Sequence, residues 1–392
     1  MAVDPDSVAA RVKTRRLLRG LTQRELADQA LVSISMVRQI EQGTRLPSDS
    51  VLAALARVLR VPAADLAVGP GGEDLDRDQV EGLIRPIRAA LDLHDLGADP
   101  EIQPRSATGL VQHAEQLCRS IRDGHLRTVA GQLPGLLEEL TTAVHLTGAP
   151  RLFIALSTAY RSAYDVAAKL SYHDLAATAL DRMAWAAERG SDPAAAGVQH
   201  YLRTMIHLRA GSYRTGLRVA DAGLRTAALT DPGDTRTAVT GQIHLSAALL
   251  SARQQRPDAA AEHLAEARRI AAGISTYSQQ ALVFGATNAA VHEVSTLVDQ
   301  HLYREALDVA RTMVVPPGWP VSRTARHYTD VARAALFTGH PDEAFRRLVE
   351  ARRLAPQPTR FSPGVREVLS GVARSRRTMP AEVTRYAAWL GL

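Results

Sequence analysis

One cysteine, Cys118, stands in 392 residues. A single thiol closes no intramolecular disulfide, which suits a reducing cytosol. Set between Leu117 and Arg119 in a helical pattern, it reads as a buried, inert side chain rather than a redox sensor. Aromatics make up 4% of the chain and β-branched runs are scarce, which turns the expectation from sheets to helices. No apolar run approaches the ~18 residues that a membrane helix needs. The opening stretch MAVDPDSVAARVKTRR has no apolar core and no small-residue cleavage site, so no signal peptide is expected and the cytoplasm is. There is no His-Glu-x-x-His, Cys-x-x-Cys or Gly-x-Ser-x-Gly, and no Walker or Rossmann glycine loop. The Gly-Pro-Gly-Gly at 69–72 follows no strand and precedes no Gly-Lys-Ser/Thr. Glu138 and Glu139 sit in a charged helix face without an obvious partner. An enzyme, a metal and a cofactor are therefore not expected.

What is present is 46% hydrophobic residues, enough for two or three domains with real cores, and a net charge of +6. That charge agrees with a nucleic-acid partner without proving one, because arginine is plentiful along the whole chain. Arg11, Lys13, Arg15, Arg16 and Arg19 crowd the first helical stretch, either as phosphate contacts or as a solvated face.

The stretch Thr22 to Gly43 carries the sharpest signal. Thr22 and Glu25, three apart, form a capping box in which hydroxyl and carboxylate satisfy each other's free backbone donors. Leu26 and Ala27 give the short helix behind it one apolar stripe. A second start follows at Ser33, with Met36, Val37 and Ile40 as its stripe, and Gly43 ends it by turning left-handed. Two short helices joined by a few residues cross steeply, as in a helix-turn-helix, whose second helix enters a DNA major groove. Off the apolar stripe stand Ser33, Ile34 and Ser35, then Arg38 and Gln39 one turn later. Gln pairs bidentately with adenine and Arg with guanine, while Ile34 suits a thymine methyl. Thr22 and Gln23, at an amino end, are placed for phosphate.

Residues 8–67 resemble the Cro/C1-type (Xre) helix-turn-helix family through Leu21-Thr22-Gln23, Leu26-Ala27, Val32-Ser33, Val37, Ile40-Glu41, Gly43 and Pro47-Ser48. The resemblance implies a five-helix domain binding duplex DNA through Thr22, Gln23, Ser33, Ile34, Ser35, Arg38, Gln39 and Arg45. One departure is Leu31, where the family has glycine in the turn. A bulky residue at positive φ costs ~1–2 kcal/mol, so the turn is expected to be drawn differently.

A Pro- and Gly-bearing acidic linker follows at 69–78, then helical periodicity from Val80 to Leu93 broken or opened by Pro86, and another break at 97–105. From Ser106 onward the chain reads as helix after helix. Tyr213-Arg-Thr-Gly216-Leu217, Pro257-Asp-Ala-Ala260-Ala261, Tyr303-Arg-Glu-Ala306-Leu307 and Pro341-Asp-Glu-Ala344-Phe345 each open a helix, with a fainter copy at Tyr172-His-Asp-Leu175-Ala176. The copies recur every 38 to 46 residues. A small residue at the fourth place lets a paired helix approach, and a helix of about 15–20 residues precedes each copy. This is the helix-turn-helix unit of a stretched tetratricopeptide array, five or six hairpins stacked into a right-handed superhelix with a concave face. The combination resembles the actinobacterial Xre–tetratricopeptide regulators, most of all in 283–294 and 327–356. In organisation it resembles the peptide-responsive regulators of Gram-positive quorum sensing.

Longer helices line a solenoid's inner face. There a helix from Gln279 to Asp299 would stack Phe284, Asn288 and His292 at four-residue spacing. A mid-helix Asn is costly without partners, so its amide either clamps a peptide-like ligand edge or bonds the next hairpin. His292 is either a ligand contact or a satisfied core histidine. Gly285 would permit close approach at a cost of ~1 kcal/mol to the helix. Tyr160 and Tyr164, Arg203 and His207, and Arg323 and His327 are further (i, i+4) pairs. The Arg-x-x-x-His arrangement suits an anion. Trp319 reads as a loop lid or plug, Trp185 and Trp389 as packing.

The expectation is an all-α chain. Residues 1–67 form the DNA-binding domain, 68–105 a linker with a connecting helix, and 106–392 a tetratricopeptide-like α-solenoid for effector binding and dimerisation. It is a homodimeric transcription regulator reading a two-half-site, double-stranded operator and sensing a peptide or small molecule, in quorum sensing or antibiotic-biosynthesis control. The alternative is a DNA-located scaffold whose repeats hold a protein partner. No membrane is implied.

Overall fold

A computed structural model describes residues 8–61, 66, 74–275, 277–279, 282–376 and 380–392. The chain is all-α, with an amino-terminal helix-turn-helix unit followed by a region of repeated helical hairpins. Four helices open it: α1 (Val8–Leu18), α2 (Gln23–Ala30), α3 (Ile34–Glu41) and α4 (Asp49–Leu59). Their apolar stripes close on one core of Val12, Leu26, Val37, Ile40, Leu55 and Leu59, with Leu66 reaching into it from beyond α4. The fifth helix of the expected domain falls on residues around Leu66 that lie outside those described.

The capping box is built as the spacing implies: Thr22 Oγ1 accepts from the Glu25 amide at 3.1 Å and Glu25 Oε2 accepts from the Thr22 amide at 2.7 Å. The turn that follows is not redrawn. Leu31 itself adopts φ 57°, ψ 42°, and its amide bonds back to α2, so the chain carries the strain that glycine would relieve.

The rest begins with α5 (Asp74–Asp92), α6 (Ala107–Arg122) and α7 (Leu126–Thr147). α5 continues past Pro86 without a break and takes in part of the 69–78 stretch read as a linker. Its Ile84, Ile87 and Leu91 are buried in the same core as α7, so it is a packed element and no free connector. Six helix pairs follow: α8 (Pro150–Lys169) with α9 (His173–Arg189), α10 (Pro193–Arg209) with α11 (Tyr213–Ala227), and α12 (Asp234–Arg253) with α13 (Pro257–Ala272). Next come α14 (Ala286–Asp299) with α15 (Tyr303–Thr312), α16 (Val321–Phe337) with α17 (Pro341–Leu354) and, after a single turn α18 (Pro356–Arg360), α19 (Pro363–Arg374) with α20 (Ala381–Leu390).

One backbone device repeats. Two residues before each motif-bearing helix stands a left-handed residue: Ser171, Gly211, Gln255, His301 and Gly339. This register shifts the faint copy by one, to His173-Asp-Leu-Ala176, which puts Ala176 in the small fourth place with Gly216, Ala260, Ala306 and Ala344, all buried. At Gly216 a Cβ would stand 2.6 Å from Leu250 Cδ2, so the helices meet closer than any side chain permits.

The Gln279–Asp299 stretch corrects an expectation. It opens as a short hairpin, β1 (Tyr277–Gln279) antiparallel to β2 (Leu282–Phe284), with Tyr277 opposite Phe284. Gly285, at φ 148° and ψ −171°, then starts α14, a conformation open only to glycine. Phe284 is therefore not stacked on Asn288. Its ring lies over Gly241 of α12, where a Cβ would be 2.0 Å from Cζ.

Candidate nucleic-acid interface and repeat-region polar site

The second helix of the pair, α3, is fixed from behind by a buried ion pair. Arg16 holds Glu41 through two bonds, Nε to Oε1 at 2.6 Å and Nη2 to Oε2 at 3.0 Å, and Gln23 Nε2 adds a third to Oε2 at 2.8 Å. The bidentate fork sets the rotation of α3 against α1 and α2. Three of the basic residues of the first helical stretch bond within the chain. Besides Arg16, Arg11 Nε bonds Leu66 O and Arg19 Nε, just past the helix, bonds Leu59 O, while Lys13, Arg15 and the rest of Arg19 are exposed.

Ser33 caps α3, accepting from the Met36 amide at 3.1 Å, and is exposed. Ser35, Arg38 and Gln39 are exposed on the same outward face, while Ile34 is half-buried against the domain core. Thr22 is exposed with its hydroxyl engaged by Glu25, and the Gln23 carboxamide is turned to Glu41. What these two offer to an anion is the amino end of α2, whose first backbone amides lack intrahelical acceptors. The free side-chain face narrows to Ser33, Ser35, Arg38 and Gln39. Arg45 is placed otherwise than expected. Its Nη2 donates to Glu367 Oε1 of α19 at 3.2 Å, and its guanidinium lies 4.7 Å from the Phe337 ring centroid. In this arrangement it faces the repeats.

A helix-turn-helix family model matches residues 12–66. The uncharacterized HTH-type transcriptional regulator YazB of Bacillus subtilis (strain 168) is 39% identical over 57 residues, which are 14% of this chain and 83% of that one. The chain belongs to the helix-turn-helix transcriptional regulators. Among solved structures, Bacillus thuringiensis PlcR in complex with the peptide PapR7 and DNA overlaps 89% of this chain and 94% of its own. At a TM-score of 0.32 and 12% identity, that overlap carries no argument.

In this helix-turn-helix regulator the repeat-region candidates separate into groups. Asn288, His292 and Arg323 come together with Gln242, a residue the sequence did not single out. Arg323 Nη1 donates to Asn288 Oδ1 at 2.5 Å, and Asn288 Nδ2 donates to Gln242 Oε1 at 2.8 Å. His292 Nδ1 lies 2.9 Å from Asn288 O and Nε2 lies 3.4 Å from Gln242 Nε2. Burial, with Arg323 nearby, pushes the His292 pKa down to about 4. The neutral ring then donates from Nδ1 and accepts at Nε2, and every bond in the loop has one donor and one acceptor. The Asn288 amide is satisfied at both ends and is fully buried, so it ties α12, α14 and α16 together instead of presenting a clamp.

Tyr164 is buried on α8, its hydroxyl 3.2 Å from Arg209 Nη1. Tyr160 is core. Arg203 is exposed with His207 half-buried beside it. Lys169, at the end of α8, is half-buried. Burial holds its amine below the usual lysine range, and Arg209, Arg323 and Arg161 push it the same way against Asp165. A lone lysine in a last turn reads in sequence as a solvated helix end, so nothing there pointed to it. His327 belongs to neither group and lines a separate gap. Trp319 is a plug, buried against Val283 and Val291.

Among the described residues no helix is long and apolar enough to cross a membrane.

Proposed function

We propose that the chain is a sequence-specific transcription regulator. It acts as a homodimer on a two-half-site operator, and its repeat region answers a peptide or small-molecule effector. The observation that carries this is the outward face of α3, where Ser33, Ser35, Arg38 and Gln39 stand exposed on a helix locked from behind by Arg16 and Glu41. Such rigid presentation is what base-edge readout requires. One domain reads only a few base pairs. A pair spaced by one DNA turn, ~34 Å, reads both half-sites on the same side of the duplex. The positive charges of Arg209, Arg323 and Arg161 acting on Lys169, against the one carboxylate of Asp165, support an effector presenting an acid group there, such as a peptide carboxy terminus. The Asn288 loop would then transmit the change between neighbouring hairpins.

Selection of bound duplexes from a random library tests the reading. It should return a two-fold symmetric site, and Gln39→Ala should relax one position in each half-site at a cost of ~1–3 kcal/mol. Equal losses on selected and random duplexes would make Gln39 a phosphate contact, and failure to enrich any sequence would end the proposal.

A further inference from the structure

The motif-bearing helices α11, α13 and α17 run 15, 16 and 14 residues, whereas α15 stops after 10. The chain leaves the helix at Met313, which is extended at ψ 130°, and Pro316 and Pro317 follow. Met313 and Val315 are drawn toward Trp319 and its partners Val283 and Val291, while Val314 stays in solvent, 79% exposed. The layer of motif helices therefore lacks about a turn between α15 and α17. In its place is a cavity of about 760 Å³, within the usual range for small-molecule sites.

The walls are chemically divided. Leu307, Ala310, Val331 and Ala335 give an apolar bed. At its floor His327 is only 3% exposed, and its Nδ1 has no hydrogen-bond partner. A buried ring nitrogen left this way loses its bond to water with nothing in return. The charged lining is Arg311, Arg346 and Arg347 against Glu343 as the one carboxylate. Glu343 bonds both Arg346 and Arg347, and Arg347 also bonds Glu350, which stands outside the lining, as does Asp308, the partner of Arg311. Each lining guanidinium is therefore ion-paired already, three against Glu343, Glu350 and Asp308, and an incoming carboxylate would share Arg347 with its present partners while meeting the unpartnered His327 Nδ1. Burial holds the His327 ring below its ordinary pKa, with Asp330 opposing the shift and Arg347 adding to it, so a carboxylate and a guanidinium both act on the imidazole.

We propose that this gap binds a small apolar molecule carrying one carboxylate, its hydrocarbon part on Leu307, Ala310, Val331 and Ala335 and its carboxylate between His327 Nδ1 and Arg347. The site is separate from the Lys169 surface and does not depend on the effector reading given above. Its ligand is an aromatic or alicyclic acid.

Titration of the full-length protein with 1-naphthoate and with its uncharged counterpart 1-naphthalenemethanol tests this. Naphthoate should bind one saturable site about tenfold more tightly than the alcohol. Ala310→Phe should abolish binding by filling the bed, and His327→Leu should erase the preference for the acid, with helical circular dichroism unchanged. Arg347→Gln lies outside the core and should reduce the same preference by about tenfold, which keeps the test alive if a core variant fails to fold. The proposal is overturned if neither probe saturates, if Ala310→Phe binds as before, or if the alcohol binds as tightly as the acid.

Discussion

Arg45 and Glu367, 322 residues apart in the chain, are joined at 3.2 Å, with the carboxylate side chain 3% exposed. Glu367 also faces Arg333 at 3.5 Å, Arg333 faces Asp299 at 4.0 Å, and Asp299 holds Arg253 at 2.5 Å. A row of alternating charges thus runs from the loop behind α3 across α19, α16, α14 and α12. Two further contacts hold the amino-terminal domain against the repeats. Gln255 Nε2 donates to Leu31 O at 3.1 Å, and at Gly211 a Cβ would sit 3.4 Å from Ala54 Cα. Arg45 cannot hold Glu367 and a DNA phosphate together. Glu367→Gln weakens the docked state while Arg333 keeps Asp299. Affinity for a random-sequence duplex should then rise by about tenfold, and the slope of log K against log salt should steepen by ~0.9 for each head that gains a phosphate. An unchanged slope would mean that Arg45 stays docked on DNA.

Leu31 makes a stability prediction of opposite character. Its left-handed backbone costs ~1–2 kcal/mol, and the residue is 41% exposed, so removal of the side chain gives up only part of the ~1.5–3 kcal/mol that a fully buried leucine contributes. Glycine gives back part of the gain through the freedom of the unfolded chain, ~0.5–1 kcal/mol. The terms nearly cancel, so Leu31→Gly should leave the domain within about 1 kcal/mol of its native stability although a whole leucine side chain is removed. Amide exchange through Gln23–Glu41 within about fivefold of the native rate would show it. Faster exchange would mean that the side chain contributes packing that outweighs the strain.

The Gly241–Phe284 contact is steric. Alanine at 241 would place a methyl 2.0 Å from a ring that is fully buried. Overpacking of this kind costs ~1–3 kcal/mol or more. Gly241→Ala should lower the melting temperature, and Phe284→Leu in the same chain should recover part of the loss. Additive losses in the double variant would show that the two sites do not couple.

These sites mark where the sequence was readable. Thr22 with Glu25, Ser33 with its apolar stripe and the fourth-place alanines are local signals. Each is satisfied within one or two turns, so spacing alone locates it. Arg16–Glu41, Arg45–Glu367 and Gln242–Asn288 join residues 25, 322 and 46 apart. A single chain read along its length does not name such partners, and for that reason the pairing of Arg16 and Arg45 within the chain was not legible in the sequence. The β-hairpin before α14 was missed because Phe284, Asn288 and His292 imitate helical spacing across a glycine that breaks it.

The Asn288 loop gives a pH prediction. His292 titrates in the folded chain at about 4, below its ordinary 6.5, because burial and Arg323 disfavour the charged ring. Between those values the unfolded state binds the proton and the folded state does not. Stability contributed by the neutral ring is thus fully present above pH ~6.5 and is lost as pH falls toward ~4. His94, His173, His200, His244 and His327 are shifted the same way by burial and add to the trend. His292→Asn retains a donor for the Asn288 carbonyl and has no proton to take up. Its stability should fall less steeply from pH 6.5 to 4 than that of the native chain, by an amount on the order of a few kcal/mol over the interval. Urea unfolding followed at several pH values reads this directly, and parallel curves for the two proteins would mean that the ring is protonated in the folded state and that the bonding order around Asn288 is reversed.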